Sequence, residues 1–178
     1  MNIFLTSGTM GFMETVRKRY ANEMMIVMHG AGNSVLLHET EGKTVFQTPR
    51  RYEVISSSGK LTEEGFFAFN NIPITDEGRP IFEHRFQSRI EAIAGEPGFV
   101  AYRLLRPLNS ETYIILSQWT SKEFLNLWLD SPAYKKMNDS IENEVGLDKM
   151  QHIFLSAPYV TTYKTKVEKE QNGEDYSN

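Results

Sequence analysis

One nine-residue stretch near the middle of the chain, Phe66–Ile74 (FFAFNNIPI), combines aromatic and β-branched residues with two adjacent asparagines. A strand's period of two places Asn70 with Ala68 on one face and Asn71 with Phe69 on the other. An amide in the middle of such a strand is locally unfavourable. Each asparagine therefore either faces water or bonds a loop, or one of them points into a cleft that holds a ligand. The stretch alone leaves both alternatives open.

The composition excludes several classes of protein. Of the 178 residues, 40% are hydrophobic and 12% aromatic, which suffices for a packed core. With a net charge of −4, the chain as a whole lacks the excess of basic residues that is typical of nucleic-acid-binding proteins. No apolar run approaches the roughly 18 residues that span a bilayer. The absence of cysteine excludes disulfides and thiolate chemistry and fits a reducing compartment. We therefore expect a cytoplasmic protein without a nucleic-acid or membrane partner.

The first 60 residues are expected to form a reduced β-α-β-β unit with one further short strand. The predicted elements are strands at Asn2–Thr6, Glu23–His29, Ser34–Glu39 and Thr44–Gln47, and a helix at Gly8–Tyr20. The small polar cluster Ser56–Gly59 marks the boundary with the next unit. A unit this short has a thin core, so we expect it to pack against the rest of the chain.

Residues 61–166 follow the order β-α-β-β-α-β of a ferredoxin-like α+β domain. Strands are predicted at Phe66–Ile74, Phe99–Arg106, Thr112–Trp119 and His152–Thr165, and helices from Pro80, from Ser121 and from Ala133 to about Asn143. The capping box Thr120-x-x-Glu123 and the pair Ser131-Pro132 give two of these helix starts. Residues 167–178 are charged and polar, which predicts a disordered tail.

No short catalytic motif is present in the sequence. The chain lacks a P-loop, GxGxxG, HExxH and GxSxG. Its four histidines are His29, His38, His84 and His152. A lone histidine without partners is more often structural than a metal ligand, although His152 opens the last predicted strand, where it can lie at a cleft mouth. Trp128 shares an apolar helical stripe with Phe124, where a packing role is the ordinary one.

Four segments taken together resemble the antibiotic biosynthesis monooxygenase (ABM) domain. They are FNNIPITDEGRPIFEHRF, EPGFVAYRLLRP, TYIILSQWTSKEFLNLWLDSPAYKKM and APYVTTY. The whole chain is similar to the longer haem-degrading monooxygenases of the HmoB type and, more distantly, to the staphylococcal protein TRAP. The resemblance implies a ferredoxin-like ABM domain packed against a reduced ferredoxin-like N-terminal unit as a pseudo-dimeric β-barrel. Because the N-terminal unit replaces a second protomer, a monomer or weak homodimer is expected.

The resemblance also implies a site. In the haem-degrading members of the IsdG type, haem is both substrate and cofactor and lies in an apolar cleft between helices and sheet. There an Asn hydrogen-bonds the oxygen-binding side of haem, a Trp presses on the porphyrin, and a His ten residues further on ligates the iron. Asn70 and Trp128 match the first two positions and are the implied catalytic residues. Asn138 falls at the third position, and Phe66 and Phe124 complete the implied haem-binding set.

The implied activity is oxidative degradation of haem with release of iron, which requires O₂ and an external electron-donating reductase. Asn138 departs from the family pattern, because an amide is a poor iron ligand compared with imidazole. His152 is therefore the first candidate for the iron ligand. Two alternatives remain: a non-enzymatic signalling or stress protein of the TRAP kind, and a cofactor-free ABM oxygenase that acts on an aromatic substrate.

Overall fold

The computed structural model describes residues 1–143 and 153–165. The strands are β1 (Asn2–Gly8), β2 (Met25–His29), β3 (Ser34–Thr40), β4 (Arg50–Ser58), β5 (Phe66–Pro73), β6 (Phe99–Pro107), β7 (Thr112–Trp119) and β8 (Tyr159–Lys164). The helices are α1 (Met10–Arg19), α2 (Arg79–Ile90), α3 (Lys122–Leu129) and α4 (Pro132–Asn143), and a 3₁₀ turn (Glu91–Gly95) follows α2. Within the described ranges, no helix combines the length and the apolar character needed to cross a bilayer.

The strands close into one antiparallel barrel in the order β1-β3-β2-β8-β5-β7-β6-β4. The N-terminal strands β1 to β4 form one arc of this barrel, and β5 to β8 form the other. The two arcs meet at an extensive seam between β4 and β6. At the opposite seam, β2 meets β8 through the pair His29 and Lys164. The predicted α+β, ferredoxin-like fold with a reduced N-terminal unit in a pseudo-dimeric barrel is confirmed.

The two faces of β5 contribute to two separate clusters of the core. Phe67 and Phe69 are fully buried in a cluster that draws on strands from both arcs and fills the barrel. Ala68 and Ile72 belong to a second cluster, which packs beneath α2, α3 and α4. The two faces that the period of two predicted are thus both covered, which explains why the sequence of β5 is apolar apart from Asn70 and Asn71.

The predicted strand at Thr44–Gln47 is wrong. Residues 41–49 form a loop. Side-chain contacts, and not backbone pairing with a neighbouring strand, hold this loop against the barrel. Buried His38 approaches Thr44 with Nδ1 3.4 Å from Oγ1, and its ring meets the edge of Phe46 at 5.6 Å between centroids. These contacts depend on a residue in β3, so the local pattern of the loop did not reveal them.

The last predicted strand, His152–Thr165, is too long. Strand β8 begins at Tyr159, after Pro158, and Phe154 forms an isolated bridge with Ile74. Proline has no backbone N–H for a ladder, which is consistent with a strand that begins beyond it. His152 and the predicted tail at 167–178 lie outside the described residues.

The segment between the two arcs is attached to β7 by one buried glutamine. Gln118 accepts a hydrogen bond from the backbone N–H of Thr62 at 3.0 Å and donates to the carbonyl oxygens of Thr62 and Glu64, both at 3.0 Å. Residues 56–58, at the predicted boundary, lie in β4 and pair with β6. The division into units at residues 1–60 and 61–166 stays a prediction, because both parts share this one barrel.

A buried ion pair also joins the two arcs. Arg103 on β6 donates from Nε to Oε2 of Glu39 on β3 at 2.7 Å. Its Nη1 donates to the carbonyl oxygens of Ser58 and Gly59 at 3.3 and 3.0 Å. The two charged side chains are only 7% and 11% exposed, so their charges have little access to water. The pair therefore makes each arc depend on the other.

Replacing this arginine tests that dependence. Arg103→Ala leaves the Glu39 carboxylate buried without its partner, and we expect the free energy of unfolding to fall by about 3–5 kcal/mol. Arg17→Ala is the control, because the Arg17–Glu14 pair is about one-third exposed and such a pair contributes roughly 0–1 kcal/mol. Chemical denaturation measures both variants. Equal losses in the two variants would contradict the structural role of the buried pair.

A second test concerns the turn before β6. Gly98 has φ +75°, and a Cβ there would lie 2.3 Å from Cγ of Phe124. Gly98→Ala is therefore expected to lower the free energy of unfolding by about 1–3 kcal/mol. Gly95→Ala, where a Cβ would meet nothing within 4 Å, should leave it unchanged or slightly higher. Thermal unfolding of the two variants, if indistinguishable, would refute this geometry.

Candidate functional site

The two asparagines of β5 are both 5% exposed but have different partners. Asn71 donates from Nδ2 to the carbonyl oxygens of Phe69 and Tyr159 and to Oγ1 of Thr161, at 3.1–3.2 Å. These partners belong to β5 and β8, so the Asn71 amide stabilises the sheet. Asn70 lies on the helix-covered face, and its Nδ2 donates to Oδ1 of Asn138 on α4 at 3.2 Å.

Helix caps place the aromatic residues of α3 and α4. Ser121 caps α3, with Oγ accepting from the backbone N–H of Phe124 at 3.2 Å. Ser131 joins the two helices, because its Oγ accepts from the N–H of Tyr134 at 3.1 Å and donates to the carbonyl of Trp128 at 2.7 Å. This tight connection brings the Trp128 and Tyr134 rings edge to face, 5.5 Å apart.

The Trp128 indole packs against a second tryptophan, Trp119. The indole, 6% exposed, stacks on Trp119 with ring centroids 5.9 Å apart and 23° between the planes. Trp119 is fully buried, and its Nε1 donates to Oγ of Ser117 at 3.0 Å. The Trp128 ring therefore has a fixed aromatic support in Trp119.

Asn70 and Trp128 line one cavity between the sheet and helices α3 and α4, which we call the slot. Its walls are formed by Ala68, Asn70, Ile93, Ile115, Ser117, Trp128, Leu129, Tyr134, Met137 and Val160. The cavity volume is about 10 Å³, room for a single water molecule at most. Sites for small organic ligands usually have volumes of roughly 300–1,000 Å³. The slot is therefore assembled but closed, and a flat macrocycle does not fit it as it stands.

The other residues implied by the resemblance lie in different places. Asn138 contacts Asn70 directly and so lies beside the slot. Phe124 is 36% exposed and packs over Gly98, and Phe66 pairs with Trp119 in the sheet; neither lines the slot. His152 lies outside the described residues. A role for Phe66, Phe124 or His152 in binding haem stays a prediction.

The described part of the slot wall contains no histidine. His29 and His38 belong to the N-terminal arc, where they contact Ser34 and Glu23, and His84 is exposed on α2. Nor do the described residues contain any group of three or more His, Cys, Asp or Glu side chains arranged to hold a metal ion. The slot is thus apolar apart from neutral amide, hydroxyl and phenol groups.

Tyr134 is a slot residue that the sequence analysis missed. Burial raises the pKa of its phenol above the ordinary value, and a hydrogen bond with Asn138 offsets part of that rise. The phenol is therefore protonated at neutral pH. Tyr134 precedes Asn138 by four residues, so the two lie on one face of α4. The spacing of four residues from position 138, which the resemblance had singled out, is the sequence signal that could have identified Tyr134.

A charged cluster beneath α2 has perturbed pKa values but a structural role. The hydrogen bond from Arg106 holds the pKa of Glu83 below its usual range, while burial raises the pKa of Tyr113. Arg106 donates to Oε2 of Glu83 at 2.8 Å, and the Tyr113 hydroxyl donates to Oε1 at 2.6 Å. Perturbed groups mark functional sites when they line a cleft, and none of these three lines the slot.

Comparison with known proteins agrees with this architecture. Residues 65–140 match the family model described as antibiotic biosynthesis monooxygenase. A heme-degrading monooxygenase of Listeria monocytogenes is 28% identical over 137 residues, which cover 77% of this chain and 82% of that protein. Signal transduction protein TRAP of Staphylococcus aureus is 28% identical over 163 residues, covering 90% and 92%.

A solved structure described as a major regulator of staphylococcal pathogenesis superposes with a TM-score of 0.82 and 24% identity, over 94% of this chain and 100% of that one. This likeness supports the fold alone. The family match includes the strands and helices that carry Asn70, Trp128 and Asn138. Residues 65–140 therefore match the ABM family model, and the chain as a whole is similar to proteins of this kind.

Proposed function

We propose that this protein binds haem as its substrate in the slot and degrades it oxidatively, with release of iron. The observation that carries the proposal is that Asn70 and Trp128, which come from β5 and α3, line one apolar slot. The similarity to the Listeria heme-degrading monooxygenase also supports it. The bound haem supplies the oxygen chemistry, with electrons from an external reductase, and the protein supplies binding, orientation and electrostatics.

Asn70 provides a neutral hydrogen-bond donor at the floor of the slot. Its amide does not titrate, so the donor is present over a wide pH range. The strand holds it firmly, because β5 is paired with β7 and β8 on both sides of this position. If Asn138 moved away, the Nδ2 group of Asn70 would be free to donate to a bound substrate.

Trp128 provides a rigid wall against the substrate ring. Because Trp119 supports the indole from behind, a macrocycle that enters the slot meets a surface that does not yield. Pressure of this kind would distort a bound porphyrin, which is one way in which a protein tunes haem reactivity. The apolar lining also excludes water and so limits side reactions.

The slot must open before haem enters. A flat ring needs about 3.5–4.0 Å to the contacting atoms on each face. The two walls of a slot that holds such a ring therefore stand on the order of 7 Å apart. In this structure Asn70 and Asn138 are 3.2 Å apart, in direct hydrogen-bond contact. Asn70 belongs to the barrel, whereas Tyr134, Met137 and Asn138 all belong to α4. Helix α4 is therefore the wall that has to move.

Substitutions at the two implied catalytic residues test the proposal. With hemin, ascorbate or a reductase, and oxygen, the wild type should lose its Soret band. Asn70→Ala should slow this loss by about tenfold or more, since removal of one aligned donor typically costs 10²–10³ in kcat. Trp128→Phe should also slow it, because a smaller ring presses less on the macrocycle. Hemin affinity should change much less in both variants.

Asn71→Ala is the matched control for Asn70→Ala, because it removes an equally buried amide from the other face of the same strand. Measured where all variants are folded, it should retain wild-type turnover. A wild-type Soret band that persists during reduction in oxygen would contradict the enzymatic proposal. Equal turnover in the wild type, Asn70→Ala and Trp128→Phe would remove the assignment of the site.

Opening of α4 predicts a second kinetic property. If opening limits entry, the observed rate of hemin association should level off as the hemin concentration rises. Asn138→Ala removes the hydrogen bond to Asn70 and should raise that plateau. Stopped-flow absorbance measures the rate, and Asn126→Ala on exposed α3 surface is the control. A rate that stays linear in hemin concentration and is the same in Asn138→Ala would show that no such step exists.

A non-enzymatic signalling or stress function is the second candidate. Two observations favour it. The slot is closed, and the match to the S. aureus signal transduction protein TRAP, at 28% identity, covers 90% of the chain. This candidate predicts that hemin produces no Soret band with the purified protein. It also predicts that loss of Asn70 leaves the cellular phenotype of the protein intact, which a complementation assay measures.

A further inference from the structure

We propose that residues 166–168, which directly follow the last described residue, dock as a strand along the edge of β2 that faces β8. The docking place is a groove between α1, β2 and the segment before β5, which we call the β2 groove. No described residue lines both this groove and the slot. The docking is therefore independent of the proposed function.

The seam between β2 and β8 is much less complete than the other seam of the barrel. Within residues 1–143 and 153–165, β2 and β8 share one pair, His29 with Lys164, whereas β4 and β6 share six pairs. Strand β2 continues from His29 back to Met25, and β8 ends at Lys164. Four residues of β2 therefore lie beyond the end of β8.

The backbone groups along this edge of β2 point away from β3. The carbonyl oxygen of Met24 accepts from the N–H of Glu39 on β3 at 3.1 Å, so alternation turns the even-numbered residues of β2 towards β3. The N–H and C=O groups of Met25 and Val27 then face the opposite edge, where the described residues provide no ladder partner. Both residues are buried, at 1% and 5% exposure, and buried backbone groups without a partner are rare. We therefore expect a partner strand at this edge.

The β2 groove is lined by Glu14, Arg17, Met25, Ile26, Val27, Glu63, Glu64 and Thr165. Its volume is about 160 Å³, room for roughly five water molecules. Two hydrogen bonds hold Thr165, the last described residue, to Gly65. The N–H of Thr165 donates to the Gly65 carbonyl at 3.1 Å, and its Oγ1 accepts from the Gly65 N–H at 2.9 Å. The chain thus reaches the groove at the residue that precedes the proposed strand.

The observed pair between β2 and β8 fixes the register of the proposed strand. In an antiparallel ladder, each residue added to β8 lies opposite the residue one place earlier in β2. Lys166 therefore comes opposite Val27, and Glu168 comes opposite Met25. These are the two positions of β2 whose backbone groups face the groove, so both become hydrogen-bonded pairs.

The same register directs an apolar side chain into the barrel. Val167 comes opposite Ile26, which belongs to the cluster that fills the barrel. Tyr163 packs against that cluster, and the period of two puts Val167 on the same face as Tyr163. The valine is therefore buried against Ile26. Its two charged neighbours share the outer face of Met25 and Val27, which α1 covers.

The charges of the segment complement those of the groove. Three carboxylates and one arginine line the groove, which gives it a net charge of −2. Residues 164–169 (KTKVEK) contain three lysines and one glutamate, a net charge of +2, whereas residues 170–178 contain three acidic residues and no lysine or arginine. Opposite charges favour docking and disfavour an acidic partner. The favourable segment ends at residue 169, next to the residue that comes opposite the start of β2.

Nuclear magnetic resonance of the full chain tests the docking directly. Ile26 and Val167 lie between two hydrogen-bonded pairs, so their Cα atoms should approach to about 4.5 Å. Their Hα protons should then give a strong nuclear Overhauser contact. The N–H groups of Met25 and Val27 should exchange slowly with solvent. The N–H of Ile26, which faces β3, serves as the internal reference.

A chain that ends after Thr165 should lose the contact. Exchange of the Val27 N–H should become faster by on the order of fivefold or more, the equilibrium equivalent of one typical hydrogen bond, while exchange at Ile26 stays unchanged. A chain that ends after Lys169 is the matched control, because it keeps the proposed strand and loses only the acidic end. It should behave as the full chain does.

Two proline variants provide a second test at constant length. Glu168→Pro removes the N–H that donates to the Met25 carbonyl in the proposed strand, so it should speed exchange at Met25 and Val27. Gln171→Pro lies beyond the residue that comes opposite the start of β2, and it should change neither.

The contact between Ile26 and Val167, lost in the chain that ends after Thr165 and kept in the one that ends after Lys169, would support the docking. Its absence from the full chain, equal exchange at Val27 in both shortened chains, or equal effects of the two prolines would overturn it. A contact that appears only between differently labelled copies would overturn docking within one chain. None of these measurements involves haem, so their failure is distinguishable from a failure of the proposed function.

Discussion

Burial of two adjacent amides in the middle of β5 is the interaction on which the rest of this structure depends. The strand has the filled barrel on one face and three helices on the other, so water is excluded from both sides. A buried amide without a partner costs roughly 1–3 kcal/mol. Asn71 is satisfied by its own sheet, whereas Asn70 is satisfied by Asn138 on α4. The need of the buried Asn70 amide for a hydrogen-bond partner thus helps to fix the position of α4.

The same interaction explains why the slot is closed. Asn138 occupies the place where a ligand of Asn70 would lie, and Tyr134 fills the space in front of Trp128. The groups that the resemblance implies in haem degradation are therefore assembled and in contact with one another. Whether the slot admits a large flat ligand depends on how easily α4 exchanges these contacts for contacts with the ligand.

The sequence predicted those features that depend on local pattern or on the resemblance. The period of two in β5 predicted which of its residues share a face. The pair Ser131-Pro132 predicted where α4 begins, and the capping box Thr120-x-x-Glu123 predicted the start of α3 to within one residue, although Ser121 and not Thr120 is the cap. The strand at Thr44–Gln47 was wrong because contacts with His38 hold that segment as a loop. The position of Tyr134 in the slot wall and the closed state of the slot depend on how two helices pack, which periodicity does not encode. Asn70 and Trp128 were found through the resemblance, since an amide and an indole carry no motif of their own.

A crystal structure of the protein with hemin is the most direct measurement of whether Asn70 and Trp128 form a haem site. We expect the ring between α4 on one side and Asn70 with Trp128 on the other, with the distance between Asn70 and Asn138 increased from 3.2 Å to beyond hydrogen-bond range. Hemin bound elsewhere on the surface, with the amide contact intact and the slot still filled by Tyr134, would contradict this assignment.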